Sequence, residues 1–301
     1  MNRREFVAAT GAALASRAAA APASGNPFIK SICAVIFPHA MPYAECFAQA
    51  KNAGFDAVEI QLSREITLDS TPDQVRRVGE AARQAGIAVA SMWVQPLARN
   101  PLNSPDADVR ARGVETIRKA VEFAAYLNCG ALLLVPGRLG NGAKFQIGYQ
   151  ATWERFTIEL KKAIPAAEQA EVLLTPENVW NKFLVSPLEM RAFVDQFNSP
   201  WLQAHFDIGN VMQFGYPQDW ILTLGPRIKR IHVKDYKLSA RAEQGRFVDL
   251  LEGDVEWKEV MAALVKVGYR GFLSPEIGYD PNDPDKLKKV SQALDRILAL
   301  A

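Results

Sequence analysis

Beyond residue 27 the chain alternates short, β-branched apolar runs with longer stretches in which apolar residues recur at three- and four-residue steps. Those two periods separate strands from amphipathic helices. The short runs fall at 29–37 (IKSICAVIF), 55–61 (FDAVEIQ), 87–94 (IAVASMWV), 131–136 (ALLLVP), 172–179, 202–208, 228–234 and 271–277, eight in all. Helical stretches lie between them, among others at 71–85, 105–128, 150–170, 186–197, 256–267 and 284–300. Gly54, Gly86, Gly130 and Gly268 stand directly before a strand, where a left-handed helix cap is wanted. Thr71, Ser104 and Ser186 each precede a proline, the signature of a capped first turn. Eight βα units in about 270 residues predict a single α/β domain, a parallel (β/α)8 TIM barrel over 27–301. A doubly wound sheet would show fewer strands and a glycine fingerprint, and no GxGxxG or GxxxxGK[ST] stretch occurs.

The first residues are set apart from this pattern. MNRREF carries Arg3 and Arg4 before a weakly apolar, alanine-rich stretch interrupted by Arg17, and Ala21-Pro22-Ala23 offers a cleavage point before Ser24. Residues 1–23 therefore read as a twin-arginine export signal, with the mature protein periplasmic or extracellular. That route carries folded proteins, which would let a metal be loaded first.

The whole chain has 301 residues and a formal charge of +2; without residues 1–23, 32 basic face 32 acidic residues. No field strong enough for nucleic acid or an anionic membrane follows. Beyond residue 27 no apolar run reaches the ~18 residues of a membrane span, so a soluble mature chain is expected. Cys33, Cys46 and Cys129 are an odd number with no CxxC pair, which reads as buried thiols rather than disulfides or a zinc ribbon.

Four segments place a metal-liking side chain at a comparable point at the end of an apolar run: LLTPENV with Glu177, QAHFDIGN with Asp207, IKRIHVKD with His232 and FLSPEI with Glu276. In a barrel these are the ends of strands five to eight, where the loops of the carboxyl face converge. Alone, each carboxylate is more readily a cap or ion-pair partner and the histidine a hydrogen-bonded core residue. Four consecutive strands ending this way point to a shared site. A mixed oxygen and nitrogen set suits one hard or borderline divalent ion, Mn²⁺ first, with Mg²⁺, Co²⁺ or Zn²⁺ as the other candidates.

The segments ENVWNKFLVSPLEM, HFDIGNVMQFGYPQDW, RIKRIHVKDYK, FVDLLEGDVEW and SPEIG resemble the xylose-isomerase-like sugar phosphate isomerase/epimerase family, particularly its ketose 3-epimerase-like members. NAGFDAVEIQ and NSPDADVRARGVE carry the resemblance in the first half. It implies a divalent metal held by Glu177, Asp207, His232 and Glu276. Such a metal, bound to a ketone and its neighbouring hydroxyl, stabilises the enediolate left when the α hydrogen departs. Two carboxylates on opposite sides of that carbon, taken as Glu177 and Glu276, would remove the hydrogen from one face and return it to the other.

Further candidates are weaker. Glu59 could bind a sugar hydroxyl or pair with a rim cation, Trp93 and Trp180 could wall the pocket, and Asn210 could reach a substrate oxygen or form a turn. Lys234 could bind substrate, and Asp235 could orient His232 or cap the following loop. Arg246, with Lys237 and Arg241, could bind a phosphate or carboxylate. His39 could touch substrate or be a plain loop residue, and His205 is read as barrel filling. The leading function is a metal-dependent epimerase or isomerase of a ketose or keto-sugar derivative, with a small-molecule sugar as partner and a homo-oligomer left open. The alternatives are a lyase eliminating from a keto-sugar or keto-glycoside, as similar inosose dehydratase-like relatives do, and a non-catalytic sugar-binding barrel. A metal-dependent abasic-site endonuclease would need more histidine than His39, His205 and His232 supply. Export favours a non-phosphorylated substrate, because phosphorylated sugars stay inside cells.

Overall fold

A computed structural model describes residues 27–141, 144–239 and 245–301. Residues 1–23, the stretch read as an export signal, and Arg241 lie outside them. Eight parallel strands form one sheet: β1 Phe28–Cys33, β2 Ala57–Gln61, β3 Ala88–Trp93, β4 Ala131–Leu134, β5 Leu173–Pro176, β6 Ala204–Asp207, β7 Ile228–Val233 and β8 Gly271–Pro275. Their order is β5-β4-β3-β2-β1-β8-β7-β6. The sheet closes between β5 and β6 through two isolated bridges, Leu174 with Leu202 and Glu177 with His205, and the fold is a (β/α)8 barrel. Around it run α1 Tyr43–Asn52, α2 Pro72–Gln84, α3 Ala107–Leu127, α4 Tyr149–Ala170, α5 Pro187–Asp195, α6 Pro217–Leu224, α7 Trp257–Lys266 and α8 Lys286–Leu298. Each helix turns an apolar stripe toward the sheet, as α2 does with Val75, Val78 and Ala82, each such burial contributing roughly 1.5–3 kcal/mol for the larger side chains. Among the described residues no helix is long and apolar enough to cross a membrane.

Helix ends follow local chemistry, with two corrections. Thr71 forms a capping box with Gln74 and Ser186 accepts from Glu189 N–H, while Gly54, Gly86 and Gly268 take positive φ. Gly130 does not: α3 ends two residues earlier on Asn128, whose φ of 53° makes it the left-handed cap, a conformation that asparagine tolerates. Nor does Ser104 cap α3. Asp106 does, its carboxylate accepting from Asp108 and Val109 N–H.

The barrel interior is layered. Ile29, Ala57, Ala90 and Phe272 form a small apolar cluster of their own, and the period of two along each strand places them inside, toward the amino ends. Arg230 lies over the Phe272 ring and donates to Ala90 O. One step up the strands the inward residues turn polar: Thr175, His205, His232 and Glu59, all buried. A register shift lies between β2 and β3, after Val58 and Val89, and beyond it the Ser91 hydroxyl donates a hydrogen bond to the Glu59 carboxylate. Neither ring nitrogen of His205 has a hydrogen-bond partner, and burial holds its pKa well below the ordinary imidazole value. It fills the barrel as a neutral ring.

Candidate active site

Each of the last four strands delivers one donor to the carboxyl rim. Glu177 follows β5 directly, Asp207 ends β6, His232 lies one residue before the end of β7 and Glu276 follows β8. Their ligand atoms lie within 4.8 Å of one another. His232 Nδ1 is 3.0 Å from Glu177 Oε1, 3.2 Å from Glu276 Oε2 and 3.8 Å from Asp207 Oδ2. Three of the four side chains are almost fully buried, whereas Glu276 is 21% exposed. The group is open to solvent on the Glu276 side.

Neighbouring side chains fix this geometry. His232 turns its Nε2 to Glu59 Oε1 at 2.9 Å, which leaves Nδ1 facing the carboxylates; a ligating imidazole is held in its tautomer in this way. Asn178 Oδ1 accepts Asp207 N–H and its amide donates to Asp207 O. Asp207 Oδ1 accepts from Asn210 N–H at 2.8 Å. Lys234 reaches in from the end of β7 and pairs with both Asp207, at 2.9 Å, and Glu276.

The electrostatics follow from three carboxylates crowded into a buried space. Burial pushes Glu177 up to about 7, His232 only partly opposing it. Burial also acts upward on Glu276, but His232 and Lys234 outweigh it and hold that carboxyl at about 2. For His232 burial works against the charged ring, yet Glu59, Cys33, Glu177 and Glu276 together raise its pKa well above normal. Lys234 is likewise raised, Asp207 and Glu276 overcoming its burial. The acidic group thus draws positive charge to itself. Asp207 Oδ2 is buried and accepts no hydrogen bond, facing the Lys234 ammonium at 2.9 Å, and a buried carboxylate oxygen wants a cation opposite it. The donors, their spacing and this oxygen suit a divalent ion, and the group could hold one.

Other expected residues fare differently. Glu59, expected at a sugar hydroxyl or a rim cation, lies below the rim: it is 2% exposed and bonded to His232, Ser91 and the Cys33 thiol. Asp235 does not orient His232. Its carboxylate gathers Tyr236, Leu251 and Val255 N–H and the Trp257 indole, tying down the loop after β7. Asn210 is a turn residue, its amide donating to Asn178 O. Trp93 ends β3, half-buried. Arg246 is exposed on a two-stranded ribbon, Asp235–Lys237 with Arg246–Val248, and alternation turns it away from the face on which Phe247 meets Trp180. His39 is exposed in the loop after β1. Asn178 and the counter-ion role of Lys234 escaped the sequence reading, although both adjoin a strand-end donor.

A family model described as xylose isomerase-like TIM barrel matches residues 47–297. The chain belongs to that family. It is 30% identical over 279 residues to L-ribulose-5-phosphate 3-epimerase UlaE of Escherichia coli O1:K1 / APEC, covering 90% of this chain and 95% of the relative. The enzyme of the same name from Salmonella paratyphi C (strain RKS4594) is 31% identical over 251 residues, or 80% and 86% of the two chains. Among solved structures, D-psicose 3-epimerase with D-tagatose from Clostridium cellulolyticum H10 superposes with a TM-score of 0.75 at 19% identity, over 90% of this chain and 99% of that one. A xylose isomerase-like TIM barrel protein from Mycobacterium smegmatis in complex with magnesium gives 0.72 at 14% identity, over 90% and 96%. At these identities the likeness is one of fold.

Proposed function

We propose that the protein is a divalent-metal-dependent epimerase of a ketose or keto-sugar derivative, with Glu177 and Glu276 as its acid/base pair. The observation that carries this reading is the convergence of four donors from four consecutive strands, on a barrel whose curated relatives are 3-epimerases. Glu177, Asp207, His232 and Glu276 would hold the ion, with Mn²⁺ first among candidates. When bound it would stabilise negative charge on the carbonyl and adjacent hydroxyl oxygens of the sugar. Glu276, on the open side, and Glu177, buried across from it, would take and return the hydrogen on the carbon next to the carbonyl. Asp207 and His232 hold position, His232 through Glu59 and Asp207 through Asn178. Lys234, bridging Asp207 and Glu276, offsets the excess of negative charge and can donate to a substrate oxygen. Elimination would need an acid above a leaving group, and the relatives named above favour epimerisation over it.

Export by the twin-arginine stretch belongs to the same proposal, with a non-phosphorylated keto-sugar as the substrate met outside the cytoplasm. The test is NMR in D₂O with the Mn²⁺-supplemented protein and a panel of ketoses and keto-glycosides. Deuterium at an inverted carbon supports the reading. A new enone or a lost aglycone would establish the lyase instead, and no exchange with any metal or sugar would refute both.

A further inference from the structure

Three loops bring exposed aromatic rings together beside the acidic group: Trp180 after β5, Phe214 after β6 and Phe247 on the ribbon after β7. They are 49%, 60% and 43% exposed. Trp180 lies 5.1 Å from Phe247 at 32° and 6.4 Å from Phe214 at 80°. Buried Tyr236 meets both Trp180 and Phe247 edge-on. A single exposed ring needs no account, but a contiguous aromatic patch at the mouth of a polar site does.

This platform is fastened to the candidate metal ligands. The Trp180 indole donates to Asn210 O at 2.8 Å, and Asn210 N–H donates to Asp207 Oδ1 at 2.8 Å. The Lys234 ammonium, paired with Asp207 and Glu276, lies 5.4 Å from the centre of the Phe247 ring. Trp180 therefore cannot swing aside without breaking its hydrogen bond, and a ring held in place before binding loses little freedom on contact. The platform offers aromatic faces, not the convergent donors that a phosphate seeks, and Arg246 faces away from it. The C–H-rich face of a sugar ring suits such a surface, as an apolar body with polar edges.

We propose that Trp180 and Phe247 form an accessory sugar subsite and that the substrate is a ketose bearing a second ring, a ketose disaccharide or keto-glycoside. The second ring would lie on the platform while the ketose end meets Glu177 and Glu276. The proposal rests on the ketose reading above for which end enters the site.

The test is calorimetric binding to the Mn²⁺-supplemented full chain, with D-fructose, D-ribulose 5-phosphate and three ketose disaccharides: turanose, lactulose and palatinose. At least one disaccharide should bind about tenfold or more tightly than D-fructose. Phe247→Ala and Trp180→Ala should each bring that preference to within about twofold, while Trp180→Phe, which keeps a ring, should retain most of it. Circular dichroism melts check that the variants fold, and Phe247, which meets Lys234 rather than a hydrogen-bond partner of the ligand Asp207, is the safer of the two. Equal affinity for D-fructose and every disaccharide overturns the proposal, as does tighter binding of D-ribulose 5-phosphate than of any disaccharide. So does a preference that survives both alanine variants. A dimer that Phe247→Ala converts to monomer, with the preference unchanged, would reassign the platform to self-association. If disaccharides are preferred but no sugar exchanges deuterium, the epimerase reading fails and the subsite stands. Exchange on D-fructose without any preference sinks the subsite alone.

Discussion

Glu59→Gln isolates the buried carboxylate that holds His232. The substitution keeps the size of the side chain and an acceptor oxygen 2.9 Å from Nε2, but removes the charge that makes the imidazole a better donor on its other side. At 2% exposure, water cannot replace that charge. Loss of such an outer partner lowers metal affinity about 10- to 100-fold, which is about 1.4–2.7 kcal/mol. Competition against a fluorescent chelator would read the Mn²⁺ affinity directly. Thermal melts with and without Mn²⁺ give an independent measure, because at fixed excess metal the metal-dependent stabilisation should shrink by the same amount. Metal-free melting should change less, since Gln still accepts from His232 and can bond Ser91. An affinity within threefold of the parent, alongside an Asp207→Asn variant that has lost its metal, would refute the reasoning about Glu59.

Further outcomes follow from other contacts. Glu177→Gln and Glu276→Gln should each slow deuterium exchange into substrate by about 10²-fold or more while ketose binding persists; exchange at the parent rate in either variant excludes that residue from proton transfer. Gly253→Ala would drive a Cβ into Asp235 Oδ1 and to 2.7 Å from Tyr236 N, and should destabilise by about 2–3 kcal/mol in urea unfolding; a neutral result would show that this loop shifts freely. Burial pushes the Cys46 and Cys129 thiols from 9.0 up to about 11. Because the folded state keeps these protons longer than the unfolded one, their contribution is complete below pH 9 and is lost as pH rises toward 11, at most about 2.7 kcal/mol for each. Urea unfolding of Cys129→Ala should show a flatter pH dependence there, and an unchanged slope would count against it.

The fold was legible because its signals are local and repeated. The strands are short runs buried along most of their length, and three of the eight helix entries carry a capping side chain, Thr71, Asp106 and Ser186. Tyr43–Asn52 and Pro217–Leu224, of 10 and 8 residues, are not among the stretches named from periodicity, being too short to show more than two or three turns of it. The run at 29–37 overshoots because its apolar residues continue past Cys33 into a single 3-10 turn, Ala34–Ile36, which periodicity cannot distinguish from strand. Asn128 replaced Gly130 as a cap because either residue type tolerates a left-handed backbone. At the site, the four donors could be read from their common position at strand ends. The partners could not. Glu59 meets His232 across 173 positions of sequence, Lys234 turns inward only once β7 is placed beside β6 and β8, and the facing of Trp180 and Phe247 depends on a ribbon in a different loop.

One consequence concerns the seam of the barrel. β5 and β6 are joined by isolated bridges where every other neighbouring pair shares a ladder, and Glu177 and Asp207 stand on opposite sides of that join. An ion gripped by both would act as a clasp on the least-stitched edge of the cylinder, and its removal by a chelator should quicken amide hydrogen exchange first at Leu174 and Gln203, whose N–H groups cross the gap.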